Sequence, residues 1–345
     1  MDLLPSSAAR PASPRRGRPS ISVVLPAYNE AGSLGSVLDE LRTALAELTE
    51  RWELIVVDDG SRDGTSALAE RLSRVPGIRM VRLSRNFGKE AALTAGLDRA
   101  LGEVVVLMDA DGQHPVRLLP EMLEAWRDGA DMVCAVRAER DDESLAKRLG
   151  TRAFYRLVNA GSPVPIPADA GDFRLMDRRV VEALNALPER NRFMKGLYAW
   201  VGFETRTLRY MPDTRRAGRS SFSLRRLAKL AFTGITAFSN FPLRLWSGVG
   251  AAIALLAFGY GSWVVIDHFV SGHPVPGWAT LVAGLMFFSG VQLLSIGILG
   301  EYIGRIFDEV KQRPVYLVAQ EQGQSLIDAA VAPARVVQVA PPHAA

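Results

Sequence analysis

The sequence predicts an α/β domain on a mostly parallel, Rossmann-like sheet, followed by an interfacial helix and a membrane-associated helical hairpin. Three observations carry that prediction. Short apolar, β-branched runs alternate with helical stretches across residues 21–137, two of those runs end in paired acids, and two long uncharged segments follow residue 245. Alternation at this spacing is the pattern of βαβ units.

Strands are expected at 21–25, 54–57, 78–83, 104–108 and 132–136. The first runs into Pro26-Ala27-Tyr28-Asn29-Glu30 and not into Gly-x-Gly-x-x-Gly, so the dinucleotide fingerprint is missing and an oxidoreductase is disfavoured. The second ends in Asp58-Asp59-Gly60-Ser61-Arg62-Asp63-Gly64-Thr65, where Asp63 or Ser61 could cap the next helix. The fourth ends in Asp109-Ala110-Asp111-Gly112-Gln113-His114-Pro115. Open α/β sheets bind ligands at the carboxyl ends of their strands. Two carboxylates two residues apart can share one hard divalent cation whose shell is completed by substrate phosphates and water. A solvated turn is the plain alternative, because Asp and Gly are common turn formers. With two acid-ending strands on one sheet edge, that alternative is weaker jointly than singly. Beyond the fifth strand, Asp172 and Arg174 flank another short strand, where they could form a structural ion pair worth little if exposed. Cys134 is the single cysteine, sits in an apolar run and is expected to be a small core residue.

With 48% hydrophobic residues in 345, the chain has apolar material beyond one soluble domain. Residues 245–266 carry no charge, and none lies between Asp267 and Glu301. As helices, 245–266 and 278–300 would each extend slightly more than about 30 Å, enough to cross a bilayer. A buried hairpin in a soluble core is the alternative, but uncharged runs of this length are rare there. Lys and Arg are absent from 245–304, while Arg215, Arg216, Arg219, Arg225, Arg226, Lys229 and Arg244 precede the pair and Arg305, Lys311 and Arg313 follow it. By the positive-inside rule both flanks are cytoplasmic and the link at 271–276 lies outside. In 222–240, Leu224, Leu227, Ala231, Ile235 and Phe238 share a helical face that excludes Arg225, Arg226 and Lys229, the pattern of a helix in the membrane interface. The net charge of +4 is modest and its basic residues cluster beside the hairpin, which favours anionic lipid over nucleic acid. Residues 1–19 and 324–345 read as disordered tails. Between them lie a catalytic domain at 20–220, the interfacial helix at 221–241, the hairpin at 242–304 and a cytoplasmic segment at 305–323.

The segments SVVLPAYNE (22–30), ELIVVDDGSRDGT (53–65), SRNFGKEAALTAG (84–96), DADGQHP (109–115) and GDFRLMDR (171–178) resemble the family 2 glycosyltransferases of GT-A fold. More narrowly, the chain is similar to the polyprenyl-phosphate glycosyltransferases, the group of bactoprenol glucosyltransferases and dolichyl-phosphate mannose synthase. The resemblance covers roughly residues 20–317. It implies inverting transfer of one sugar from a nucleotide-sugar, taken as a UDP-sugar, to polyisoprenyl (undecaprenyl) phosphate. The enzyme would be a multi-pass protein of the inner membrane with a cytoplasmic catalytic domain, and a homo-oligomer for which the resemblance suggests a tetramer. Pro26, Tyr28, Glu30 and Asp58 would contact the nucleoside, and Arg137 the donor phosphates. Asp109, Asp111 and Gln113 would hold or orient Mg²⁺ or Mn²⁺, Asp172 would stand with Asp111 at the reaction centre, and Arg215, Arg219 and Ser220 would take the lipid phosphate. Gly112 stands where the family usually has Leu, which loosens that turn, and Ser221 where it often has Lys, which passes an acceptor contact to Arg219.

Charge leads to the same reaction. A leaving nucleotide diphosphate gathers negative charge that a metal and an arginine stabilise. The acceptor is a phosphate monoester with a second pKa near about 6, already nucleophilic at neutral pH, so a general base matters less than for a hydroxyl acceptor. Asp172 is therefore expected to position substrates or shield the developing cationic sugar carbon. A processive polysaccharide synthase is disfavoured by the lack of a Gln-x-x-Arg-Trp motif. A catalytically silent membrane scaffold is disfavoured by intact Asp109, Asp111, Asp172 and Arg215.

Overall fold

Strands β1 (Ile21–Ala27) and β2 (Trp52–Asp58) are buried almost throughout, because both faces of the sheet are covered by helices and a parallel strand so enclosed must be apolar on both sides. The computed structural model describes residues 15, 17–137, 171–210, 241–271 and 277–327. Around the first two strands stand β3 (Ile78–Leu83), β4 (Val104–Leu107), β5 (Met132–Arg137), β6 (Arg174–Asp177), β7 (Thr205–Tyr210) and β8 (Val318–Gly323), in the order β7-β5-β6-β4-β1-β2-β3-β8. Only β6 and β8 run against the others.

The helices follow the alternation read from the sequence. In α1 (Leu34–Leu48) the buried Leu34, Val37, Leu38, Leu41 and Leu45 form one stripe at helical spacing against the core. After α2 (Thr65–Leu72), helix α3 (Lys89–Leu97) is buried along its whole length from Ala91. A short 3₁₀ turn leads into α4 (Leu119–Arg127), and α5 (Arg178–Ala186) starts at Asp177, whose carboxylate accepts from Arg179 N–H at 3.0 Å as a cap. Helix α6 (Met194–Trp200) precedes β7.

The chain winds from β1 outward through β2 to β3, then returns to place β4 on the other side of β1. The order therefore reverses at β1 and β4, and a crevice opens beyond their carboxyl ends. Because β6 is antiparallel to β4, with Leu107 opposite Arg174, the residues just before β6 lie at that same edge. This places Asp172 beside Asp109.

At the opposite edge of β2, Glu53 is fully buried but well partnered. It accepts from Ser22 Oγ at 2.6 Å and Leu101 N–H at 2.7 Å, and pairs with Arg79 at 2.9 Å. A buried carboxylate persists only with such partners, so Glu53 ties strands together while the acids at the far end of β2 serve the crevice.

Two strands were not expected. β7 is an exposed edge strand with charged residues, and β8 (VAQEQG) is largely polar, so neither carries the apolar signal of a buried strand. β8 is fastened by Glu321, which takes Arg79 Nη2 at 2.9 Å and Arg99 Nε at 3.0 Å. The order also extends into both expected tails. Gly77 N–H donates to Gln324 O at 2.9 Å and Ile327 is buried, while Arg15 donates to Ala130 O at 2.8 Å and to Asp131 at 2.9 Å.

Helices α7 (Phe241–Ser271) and α8 (Trp278–Val310) belong to a second unit, in which Trp246 Nε1 donates to Ser295 Oγ. Among the described residues one helix, Gly284–Val310, is long and apolar enough to cross a membrane, and none of its apolar window is buried. Ala252–Trp263 is a shorter apolar stretch. The two expected spans thus correspond to one helix of crossing length and one shorter apolar segment. Residues 305–310, expected in the cytoplasmic segment, continue α8. The expected interfacial helix lies outside the described residues up to residue 240, and residue 241 opens α7.

Candidate active site

The crevice at the β1/β4 reversal is a cleft of about 290 Å³. Of the residues expected to act, Pro26, Tyr28, Glu30, Asp109 and Asp111 line it, with Asp59 of the Asp58-Asp59 pair expected to contact donor hydroxyl or base groups, and they are joined by Asn86 and Lys89, which were not singled out. Tyr28 is 44% exposed, an open aromatic face at the mouth. Glu30 is oriented locally, its Oε2 accepting from Ser33 Oγ at 2.9 Å and its N–H donating to Thr65 Oγ1 at 2.8 Å.

The two acids ending β2 divide their tasks. Asp58, expected at the nucleoside, is fully buried and does not line the cleft; Oδ1 accepts from Ser61 N–H at 3.0 Å and Oδ2 from Ser66 Oγ. Asp59 faces the cleft and accepts from Phe87 N–H at 2.7 Å and Gly88 N–H at 2.9 Å. Burial, helped by the neighbouring Asp58 charge, holds its carboxyl above the usual carboxylate range despite those bonds. Gly60 makes this possible. Its φ is +67°, and a Cβ there would stand 2.6 Å from the carbonyl carbon of Arg85, so only glycine lets the loops after β2 and β3 approach closely. Of the two candidate caps, Asp63 accepts from Thr65 N–H at 2.9 Å at the start of α2, while Ser61 Oγ accepts from Asn29 N–H at 3.0 Å.

At the end of β4, Asp111 Oδ1 accepts from Gln113 N–H at 3.0 Å, closing the turn, and the side chain of Gln113 does not line the cleft. Asp109 N–H donates to His114 Nδ1 at 3.1 Å, and the His114 ring stacks on Phe173 at 4.9 Å, fixing the turn to the segment before β6. Asp109 and Asp111 offer the hard oxygen donors that suit Mg²⁺ or Mn²⁺. Among the described residues no three His, Cys, Asp or Glu side chains form a metal cage. A cation here would therefore need oxygens from substrate and water, which is how Mg²⁺ usually meets phosphates.

Lys89, the first residue of α3, joins the two carboxylates of the centre. Its Nζ lies 2.6 Å from Asp109 Oδ1 and 2.6 Å from Asp172 Oδ2. Desolvation works against the ammonium, but the two carboxylates outweigh it and hold the lysine above its usual range. Burial would likewise raise Asp172, yet Lys89 and Lys195 overcome it and hold the carboxyl below the usual range. Asp172 therefore pairs with Lys89, not with Arg174 as the sequence suggested. Arg174 donates to Gly171 O at 2.7 Å and lies 3.5 Å above the Tyr198 ring. Arg137, the last residue of β5, ends its strand at this same edge. Arg215, Arg219, Ser220 and Ser221 lie outside the described residues.

Beside Lys89, burial and the Asp172 charge push Glu90 up to about 7, while its carboxylate accepts from Met194 N–H at 3.3 Å. A carboxyl raised on folding binds its proton more tightly in the native state, so its contribution is fully present below about pH 4.5 and is lost as pH rises to about 7. That loss is about 3 kcal/mol at 1.36 kcal/mol per unit. Glu90→Gln should then match the wild type in thermal stability near pH 5 and exceed it near pH 8. Parallel melting curves for the two proteins across that range would contradict this assignment.

The glycosyl transferase family 2 model matches residues 22–184, and the GtrB C-terminal hairpin model matches residues 241–306. The chain is 44% identical over 299 residues to the bactoprenol glucosyl transferase of Shigella phage SfII, covering 86% of this chain and 97% of that protein. It is 43% identical over 303 residues to the bactoprenol glucosyl transferase of Shigella phage SfV, covering 88% and 99%. An uncharacterized glycosyltransferase of Synechocystis sp. is 42% identical over 304 residues, covering 88% and 96%. With an acid-lined cleft at the sheet reversal, a matching hairpin and relatives aligned over nearly their whole length, the chain belongs to the family 2 glycosyltransferases, among those that carry the GtrB C-terminal hairpin and include the bactoprenol glucosyl transferases.

Proposed function

We propose that this protein transfers a single sugar, with inversion, from a nucleotide-sugar to a polyprenyl phosphate at the cytoplasmic face of the membrane. The observation that carries this is the cleft lined by Asp109 and Asp111, with Asp172 joined to Asp109 through Lys89, in a chain whose C-terminal part matches the hairpin of the bactoprenol-linked enzymes. Glucose and bactoprenol stand in the names of the relatives, so UDP-glucose and undecaprenyl phosphate are the first donor and acceptor to test.

In this reaction Tyr28 and Glu30 receive the nucleoside at the mouth of the cleft, and Asp109 and Asp111 are the residues that would hold a Mg²⁺ or Mn²⁺ ion. Bound there, the ion would neutralise the charge that builds on the departing nucleotide. Asp172 remains ionised beside Lys89 and shields the sugar carbon as it becomes cationic. A carboxylate whose pKa is depressed is a poor proton acceptor, and the lipid phosphate, with a second pKa near about 6, has little need of one. Attack from the face opposite the diphosphate turns an α-linked donor into a β-linked lipid phosphate. Arg215, Arg219 and Ser220 are the proposed acceptor-phosphate ligands, Arg137 a ligand of the donor phosphates, and the hairpin a two-pass anchor that supports a homo-oligomer.

The test is incubation of the full-length protein, in nanodiscs with Mn²⁺, with undecaprenyl phosphate and a panel of nucleotide-sugars. The mass of the lipid product should rise by one sugar for one donor, and NMR of that product should show the inverted anomer. Donor hydrolysis without lipid product, or a ladder of added sugars, would rule the proposal out.

A further inference from the structure

Lys89 lines the cleft and sits between two of the site's carboxylates. Its ammonium is 2.6 Å from an oxygen of Asp109 and 2.6 Å from an oxygen of Asp172, so it neutralises in advance the charge a divalent ion would meet. A lysine at the first position of a helix also runs against the helix dipole. Its position at the start of α3 is compensated by those two carboxylates, and Gly88, on the same loop, is bound to Asp59 at 2.9 Å.

We propose that Lys89 is a positioning residue that sets the order of binding: it keeps bare divalent metal off Asp109 and yields Asp109 only when the metal arrives with the donor diphosphate. A free divalent cation must displace the ammonium from Asp109 and bear its repulsion at close range. A metal already carrying a diphosphate brings negative oxygens that give Lys89 a new partner, with Asp172 retained as the other. Donor and metal therefore enter as one unit, and Asp172 keeps its counter-ion throughout. This rests on the proposed transfer reaction and on Asp109 being a metal ligand.

The test is binding of Mn²⁺ alone, followed by electron paramagnetic resonance on the full-length protein in nanodiscs without donor, for wild type, Lys89→Gln and Lys89→Arg. Lys89→Gln should bind bare Mn²⁺ about tenfold or more tightly than wild type, because a unit charge in contact with a second cation's site costs at least that factor at protein dielectric values. Lys89→Arg, which keeps the charge, should stay as weak as wild type. In the presence of UDP the advantage of Lys89→Gln should shrink or reverse, since the diphosphate then lacks its lysine partner. Equal Mn²⁺ affinity for Lys89→Gln and wild type, or tighter binding by both variants, would overturn the proposal. Circular dichroism of each variant separates misfolding from a true loss, and Lys89→Arg keeps the comparison valid if Lys89→Gln is unstable. Asp111→Ala in the same assay distinguishes the two failures: if it too leaves Mn²⁺ binding unchanged with UDP present, the metal site itself is wrong, and if it abolishes binding, only the role of Lys89 is in question.

Discussion

Asp111→Ala is expected to lower sugar transfer by about 10³-fold or more, the largest single effect in the molecule. Asp111 lines the cleft and its Oδ1 accepts from Gln113 N–H within its own turn, so its loss should fall on the site and the variant should still fold, which circular dichroism checks. What is lost is one of the two carboxylates proposed to hold the ion. A Lewis acid contributes several kcal/mol to a transition state that gathers negative charge, and each 1.36 kcal/mol is a decade in rate. Single-turnover transfer with saturating donor and Mn²⁺ measures this directly. Retained turnover in Asp111→Ala, or full wild-type activity in excess chelator, would remove the metal from the scheme.

How much of this site the sequence disclosed depended on the kind of signal each residue carries. The strand at 104–107 and the acids after it were legible because an apolar run ending abruptly in Asp-x-Asp is unlike either a helix or a plain loop. Asp172 was legible as an acid at a strand start, but its partner was not. Arg174 lies nearer in sequence, whereas the true counter-ion, Lys89, comes from a helix two crossovers away and meets Asp172 only because β6 runs antiparallel to β4. The clue was present in the Lys-Glu pair opening α3, where a cation opposes the dipole and an isolated helix gains nothing from it. Asp58 and Asp59 could not be told apart, since adjacent residues at a strand end face opposite ways. The left-handed Gly60 decides the matter by turning Asp59 toward Phe87 and Gly88. β7 and β8 escaped notice because edge strands need no apolar alternation to pair. The resemblance supplied what residues alone do not, the lipid phosphate and the sugar. The acceptor residues it names, beginning at Arg215, are the part of the scheme that rests on sequence only.

Asp172→Asn tests the chemistry at the other end of the reaction, with an expected fall in transfer of about 10²- to 10³-fold, the cost of removing a preorganised charge from a developing one. The amide keeps the size of the side chain and one oxygen for Lys89, so nucleotide binding should change little and the loss should fall on kcat. The pH dependence carries the discrimination. Lys89 and Lys195 keep Asp172 ionised well below neutral pH, so it has no proton-accepting step left to titrate near pH 6 to 7. The acceptor phosphate does titrate there, with a second pKa near about 6, and transfer should rise with pH as the dianion forms. That rise should appear with the same midpoint in wild type and in Asp172→Asn, scaled down but not displaced. If Asp172 were instead the general base, wild type would carry a second ionisation besides that of the phosphate, and its profile would differ in midpoint or steepness from that of Asp172→Asn. Rate profiles from pH 5 to 9 with saturating donor therefore separate a shield from a base, and Asp172→Asn with wild-type kcat at every pH would exclude both.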